Sequence, residues 1–354
     1  MIKVKIYELD KHRNETTFRP YLAARDVLKE VGIEITEGDS YDFAWIGQAS
    51  ISNKLLPLNE SVEMGVRFCK SVGGDIMLFD GQDSHSLIGT YEVYERLQVL
   101  SSLRCTLLLK NTLLKSMEMY KIPTVNGRWY WGDGDYSIPQ IDAFSDGIVL
   151  SGTNWLSTFR ANFMKNLFHL PKFSKVHDVC ALFGYPASVG YEHGLAHHQH
   201  YDLHRAPCIE ILEGLKNIDV QMLQGGQRIP LDEYYRIMAM SKIVVSPLGY
   251  GEMTPRDLEA IGMGAVVIKP TLDHLRSEPW IYDEGSVYIG CRHDYSDLEE
   301  KIDFVLSNFE NLRDEMYEYT VRKYQYQYGD VTRMPVYLHN LFTEKLKGII
   351  THED

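Results

Sequence analysis

Apolar and polar positions alternate in "KVKIYEL" near the start of the chain, a period of two that predicts a strand. In "FRPYLAARDVLKEVG" the apolar positions recur at helical spacing through Leu22, Val27 and Leu28, and Gly32 supplies a stop. "YDFAWIGQ" is a short apolar run broken by a glycine, and "GDIMLFDGQDSH" passes from a strand into a polar loop. "TYEVYERLQVLSS" has helical spacing and "RCTLLLK" is again a strand. Strands alternating with helices predict a parallel sheet covered on both faces. Between about Lys121 and Leu170 the pattern weakens. "GRWYWGDGDYSIPQ" is a Gly/Asp-rich loop, and "TFRANFMKNLFHLPK" predicts a helix that leads to a linker at Pro171–Ser174.

The alternation then restarts. "HDVCALFGYP" is a strand entering a loop, and "APCIEILEGLKNI" is helical through Ile209, Leu212 and Leu215. "DVQMLQGG" is a strand, and "LDEYYRIMAMSK" is a helix that starts after Pro230. "IVVSPLG", a helix from Pro255 and "AVVIKP" complete a β-α-β unit, and "SDLEEKIDFVLSNF" and "NLRDEMYEYTVRKYQYQYG" predict two late helices. No solenoid-period repeat or low-complexity tract interrupts the pattern. The 354 residues therefore read as two successive doubly wound α/β units, which agrees with roughly 100–200 residues per domain.

The segment from Gly249 to Gly264, between "KIVVSP" and "AVVIKP", carries the clearest chemistry. Gly249 and Gly251 allow a ligand to approach the backbone closely. Thr254 suits an N-cap, Pro255 the first helical position and Asp257 the third, a pattern close to a capping box. The free N–H groups of such a first turn face the C-terminal edge of the sheet, where open α/β sheets bind ligands and where a phosphate is favoured. Arg256 can add a two-pronged guanidinium contact to that phosphate. Glu259, about a turn further on, can accept hydrogen bonds from two adjacent ribose hydroxyls. A capped helix with an exposed arginine and a salt-bridged glutamate accounts for the same residues equally well.

"MSKIVVSPLGYGEMTPRDLEAIGMGAVVIKP" resembles the donor-binding segment of exostosin-like glycosyltransferases. The resemblance rests on Ser246, Pro247, Gly249, Arg256, Glu259, Ala260, Gly264 and the run from Val266 to Ile268, and it extends over about residues 175–310. It implies the GT-B architecture, in which two Rossmann-like domains face each other across a cleft. The domains expected are 1–172 for the acceptor and 173–330 for the donor nucleotide, with 331–354 a C-terminal helix that packs back on the first. It further implies a nucleoside-diphosphate sugar as donor, a carbohydrate or similar hydroxyl as acceptor, and no other cofactor. The expected donor-binding set is Arg256, Glu259, Thr254, Gly251, Glu252, Ser246, Arg205 and His204. Many retaining GT-B enzymes place two glutamates eight positions apart. Here that position is Gly251, and Glu252 is one residue too close, which favours inversion. Glu252 is then either a donor-sugar contact or a solvated loop residue.

Arg205 enters this set because "GYPASVGYEHGLAHHQHYDLHRAP" follows the first strand of the second unit, where a GT-B loop covers the diphosphate; His204 lies beside it. An exposed arginine near a helix start is the plain alternative. The histidines 193, 197, 198, 200 and 204 include i, i+4 pairs that suit zinc on a helix, but the stretch holds three glycines and no H-E-x-x-H. No metal site is therefore expected there. Asp133 and Asp135 form an Asp-x-Asp pair, which in metal-dependent transferases holds a divalent ion. They follow no apolar strand, and the adjacent glycines suit a surface turn. Trp129, Tyr130 and Trp131 suit either core packing or an acceptor site. The base that inversion requires should project from the first unit. Asp83 is the first choice, His85 the second and Asp10 the third.

A net charge of −13, from 49 acidic and 36 basic residues, disfavours nonspecific nucleic-acid binding. It leaves room for one local anion pocket. The five cysteines are odd in number and widely spaced, without C-x-x-C, as expected of reduced core thiols in a cytoplasmic protein. The N-terminus lacks the apolar run of a signal peptide, and no stretch approaches the ~18 apolar residues of a membrane span. Three other readings stay open: a metal-dependent transferase using Asp133 and Asp135, a nucleotide-sugar or glycan-binding protein without turnover, and a zinc hydrolase built on the histidine loop.

Overall fold

The alternating opening segment forms β1 (Ile2–Tyr7), and Val4 is its buried position. The computed structural model describes residues 1–7, 18, 21–22, 25–47, 58–80, 105–110, 113–116, 149–152, 173–184, 195–223, 227–248, 252–276 and 282–327. After β1 come α1 (Arg25–Glu30), β2 (Ile33–Ile35), β3 (Phe43–Gly47), α2 (Leu58–Ser71), β4 (Asp75–Asp80) and β5 (Cys105–Lys110). Two short strands follow, β6 (Leu113–Leu114) and β7 (Val149–Gly152). Gly32 stops α1 as expected. Its φ is +97°, a left-handed conformation that glycine takes without steric cost, and its N–H closes back on Lys29 O. Leu22 does not join the buried face. It is 41% exposed, whereas Phe18, Tyr21 and Leu28 are buried. Tyr21 packs edge-on against Trp45 and Phe79, and bulk and ring geometry at that position outweigh simple apolar spacing.

Among the described residues these strands form one parallel sheet in the order β2-β1-β3-β4-β5-β7. A second parallel sheet follows from β8 (His177–Ala181), β9 (Val220–Met222), β10 (Ser241–Val245), β11 (Val266–Pro270) and β13 (Ile289–Cys291), in the order β13-β11-β10-β8-β9. Each sheet starts one strand in from an edge, adds that edge strand and then crosses back to extend on the other side, the doubly wound plan of a Rossmann-like unit. The α/β class and the two Rossmann-like units expected from the sequence are present. The short strands β2, β7 and β13 and helix α2 were not read from the sequence. The strands are too brief to show a period, whereas α2 does carry apolar positions at helical spacing, Val62, Val66 and Cys69, between its charged residues.

The second unit adds α3 (Leu195–Gly214), α4 (Leu231–Met240), α5 (Pro255–Gly262) and α6 (Leu298–Gln327). Two expectations are corrected here. The helix expected near Ala206 begins at Leu195, and Pro207 lies inside it. Proline lacks the N–H and crowds the preceding turn, so it normally marks a helix start. Here Arg205, Cys208 and Leu212 continue one buried face through that position, and tertiary contacts on both sides of Pro207 hold the helix together. The two late helices are one, because no glycine or proline separates them. A single buried stripe runs through Leu298, Ile302, Val305, Phe309, Met316 and Thr320.

A separate two-stranded ladder pairs β6 with β12 (Leu275–Arg276), antiparallel, with Leu275 opposite Leu114. It joins a strand that follows β5 of the first sheet to one that follows β11. Cys69, Cys180, Cys208 and Cys291 are free and buried, and burial raises the Cys69 and Cys180 thiols to about 11 and Cys208 to about 12. They are neutral apolar groups, as expected, and not nucleophiles. Among the described residues no helix is long and apolar enough to cross a membrane.

Candidate functional site

Strands β8 and β10 are neighbours, but β8 leads outward to β9 and β10 to β11 in the opposite direction. The crevice beyond their carboxyl ends is the switch point at which such sheets bind ligands. The chain leaves β8 through Leu182–Gly184 and β10 through Ser246–Leu248. Helix α5 starts directly beyond this edge, with Thr254 as N-cap and Pro255 at its first position. Gly264, at φ +71°, ends it and returns the chain into β11.

The start of α5 is organised by Asp257, which is 1% exposed. Its Oδ1 accepts from Ser246 Oγ at 2.6 Å and Thr254 Oγ1 at 3.0 Å. Its Oδ2 accepts from Thr254 N at 3.0 Å and Lys269 Nζ at 2.6 Å. These four donors fill the acceptor capacity of a carboxylate. Lys269 is fully buried. It also donates to Glu252 O at 2.6 Å and lies 5.1 Å from the Tyr282 ring centre. Burying both charges is affordable only because each is hydrogen-bonded on several sides. Ser246 and Thr254, expected at the donor, thus hold the loop to Asp257; Ser246 has no exposed surface. Lys269 escaped the sequence reading. Its signal was a lone charge in the otherwise apolar run "AVVIKP", which predicts a buried partner.

Arg256 follows in the first turn of α5 and is only partly buried. Its Nη1 lies 3.4 Å from Ser246 Oγ, and its guanidinium lies 5.9 Å from the Phe183 ring centre. Among the described residues its buried Nε has no hydrogen-bond partner and no carboxylate pairs with the guanidinium. Arg205 approaches the same ring to 5.5 Å. It donates to Gly184 O at 2.7 Å and, through Nε and Nη2, to Leu248 O at 3.4 and 3.3 Å. Arg205 therefore ties the end of β8 to the end of β10, and two guanidinium groups converge on Phe183 at the switch point. His204 turns away from them. Its Nε2 lies 3.0 Å from the Tyr295 hydroxyl, which places it in the packing beneath α3.

Glu259 is 7% exposed and accepts from Tyr234 and Tyr235 hydroxyls, each at 3.3 Å. Burial pushes the Tyr234 phenol well up, and the Arg256 charge works against that shift. Both phenols serve as donors that aim the carboxylate. No spacing in the sequence announced them, because they come from α4. Glu252 is not a solvated loop residue. It is 4% exposed, and its Oε2 lies 2.5 Å from His274 Nε2.

Asp10, Asp83, His85, Gly249, Gly251, His193, Asp133, Asp135 and the aromatic residues 129–131 lie outside the described residues. The backbone of His197, His198 and His200 belongs to α3. Among the described residues no three His, Cys, Asp or Glu side chains form a group that could hold a metal ion.

No family model matches this chain, and no curated protein matches it. Solved structures with a similar course of the chain include a DNA-modifying β-glucosyltransferase, at 9% identity and a TM-score of 0.49 over 98% of this chain and 100% of that one. HepE from Anabaena, solved with UDP, is 12% identical with a TM-score of 0.46 over 98% and 100%. The trehalose-6-phosphate synthase OtsA is 13% identical with a TM-score of 0.42 over 94% and 76%. At that level of similarity, what the chain does has to be read from its own residues.

Proposed function

We propose that the chain is a GT-B glycosyltransferase that moves a sugar from a nucleoside-diphosphate sugar to a hydroxyl acceptor, with inversion and without a catalytic metal. The observation that carries this reading is Arg256. It is a cation in the first turn of a helix, at the switch point of a doubly wound sheet, with a buried Nε that no described group satisfies. A diphosphate supplies the missing acceptor, and the helix N-terminus adds to the attraction. Arg205, held between Gly184 and Leu248, brings the second guanidinium. Glu259, aimed by its two phenols, is suited to accept from the ribose hydroxyls.

In the reaction the bond from the anomeric carbon to the diphosphate oxygen breaks and one to the acceptor oxygen forms. Charge develops on the leaving diphosphate, where Arg256 and the α5 N-terminus stabilise it. The acceptor proton passes to a base from the first unit, for which Asp83, His85 and Asp10 remain the candidates. The acceptor is a carbohydrate and not nucleic acid, in keeping with the charge of −13.

A thermal-shift screen with UDP, GDP, dTDP and ADP tests the donor site. A ligand at 100 times its dissociation constant should stabilise the fold by about 2.7 kcal/mol. The shift should be the same with EDTA present. A shift that EDTA removes and manganese restores supports the metal-dependent alternative through Asp133 and Asp135. Release of nucleoside diphosphate from the bound sugar donor separates an enzyme from a binding protein.

Glu259→Ala should weaken nucleotide binding by roughly 2–3 kcal/mol through the lost charge-assisted bonds. It should also cost about 1–3 kcal/mol of stability, because two buried phenols lose their acceptor. Calorimetric titration and denaturant unfolding measure the two effects separately. An unchanged affinity with lowered stability would make Glu259 a packing residue.

A further inference from the structure

Outside the set that faces the diphosphate, Glu252 and His274 form the most specific buried polar pair. Glu252 lies in the loop between β10 and α5, and His274 lies between β11 and β12. They are 4% and 6% exposed and only 2.5 Å apart. The main chain at both residues is tied as well. Glu252 O accepts from the buried Lys269, which holds Asp257. His274 O accepts at 2.9 Å from the N–H of Lys115, the residue after β6. The next residue, Leu275, sits opposite Leu114 in the β6–β12 ladder, and both are buried. The His293 ring packs edge-on at 5.5 Å from His274. Burial and then the His274 charge hold the His293 pKa down at about 4, so His293 is a neutral wall at pH 7.

The Glu252–His274 hydrogen bond therefore connects the loop that opens α5 to a strand pair that includes the segment following β5 of the first sheet. In a low-dielectric interior such a bond has a strong preference for one geometry. We propose that Glu252 and His274 are positioning residues, a clamp that sets the donor loop and couples nucleotide binding there to the β6–β12 link and the first unit. The proposal rests on the donor-site reading above. Coupling of this kind travels through contiguous bonded groups, and here each bond in the path is identified.

The test is a double-mutant cycle of Glu252→Ala, His274→Ala and the double variant, with Glu252→Gln as the conservative change. Calorimetry gives the affinity for whichever of UDP, GDP, dTDP or ADP the wild type binds. Amide hydrogen exchange is followed at 113–115 and 274–276 with and without that nucleotide. Each alanine variant should lose roughly tenfold in affinity, and the double variant no more than either single one. Glu252→Gln keeps an acceptor for the imidazole N–H and should stay close to wild type. Nucleotide should slow exchange at Lys115 in wild type and Glu252→Gln, and not in the alanine variants. Should His274→Ala fail to fold, His274→Phe fills the same volume without the hydrogen bond and carries the same comparison. Unchanged affinities, strictly additive losses or equal protection in all variants overturn the clamp while the donor site stands. A wild type that binds none of the four nucleotides overturns the donor site and the clamp with it.

Discussion

Arg256→Ala and Asp83→Asn should both lose turnover, but in different ways. Arg256 is placed to meet the diphosphate in the bound donor and again as the bond to the sugar breaks. Its removal should weaken donor affinity and slow the chemical step, the latter by roughly 10²–10³. The protein should still fold. Arg256 forms no ion pair among the described residues, and its side-chain bonds there are a 3.4 Å approach to Ser246 and a contact with the Tyr234 hydroxyl. Asp83 is proposed to act on the acceptor proton alone. Asp83→Asn should leave donor affinity near the wild-type value and lower turnover by roughly 10²–10⁴. Nucleotide titration and the rate of nucleoside-diphosphate release give both numbers for each variant. Normal turnover in Asp83→Asn moves the base to His85 or Asp10. Normal donor binding in Arg256→Ala removes the main support for the proposed function.

Asp257→Ala should be the most destabilising single change at the site. It leaves the fully buried Lys269 ammonium without its carboxylate, and it removes the acceptor for Ser246 and Thr254 at the same time. Breaking one side of a buried pair costs about 3–5 kcal/mol. At about 2–4 °C per kcal/mol for domains of this size, melting should fall by roughly 10 °C. Lys269→Met should cost less, because Asp257 keeps the Ser246 and Thr254 donors. The double variant should recover much of the loss, since two apolar groups leave no buried charge behind. Melting within about 2 °C of wild type for Asp257→Ala would mean that water reaches Lys269 and that the pair is not sealed.

Much of the second unit was legible in the sequence because its signals are local. The run "KIVVSP", the Thr254-Pro255-x-Asp257 start and Gly264 each act within a few residues. A cap, a proline at the first helical position and a left-handed glycine need no distant partner to do their work. The stop at Gly32 and the start after Pro230 were readable for the same reason. The pattern also misled where a local rule met a stronger tertiary one. Pro207 reads as a helix start, but Arg205, Cys208 and Leu212 hold the helix straight through it. The final helix reads as two only until its buried stripe from Leu298 to Thr320 is traced as one face.

The sequence alone determined the α/β class, the doubly wound plan and the placing of Arg256 at a helix N-terminus beyond a strand. Those properties follow from periodicity and from short-range backbone chemistry. Only the tertiary structure decided which polar groups of the loop stay open to a ligand. Ser246 and Thr254, expected at the donor, both donate to Asp257 across the strand-helix junction, and Asp257 in turn accepts from the buried Lys269. Glu252, in the sequence either a donor-sugar contact or a solvated loop residue, is buried against His274, which follows β11. Tyr234 and Tyr235 aim Glu259 from a separate helix. Hydrogen-bond partners far apart in the chain are set by strand order and packing, which no short spacing encodes, and among the described residues they leave Arg256 with an unsatisfied buried N–H.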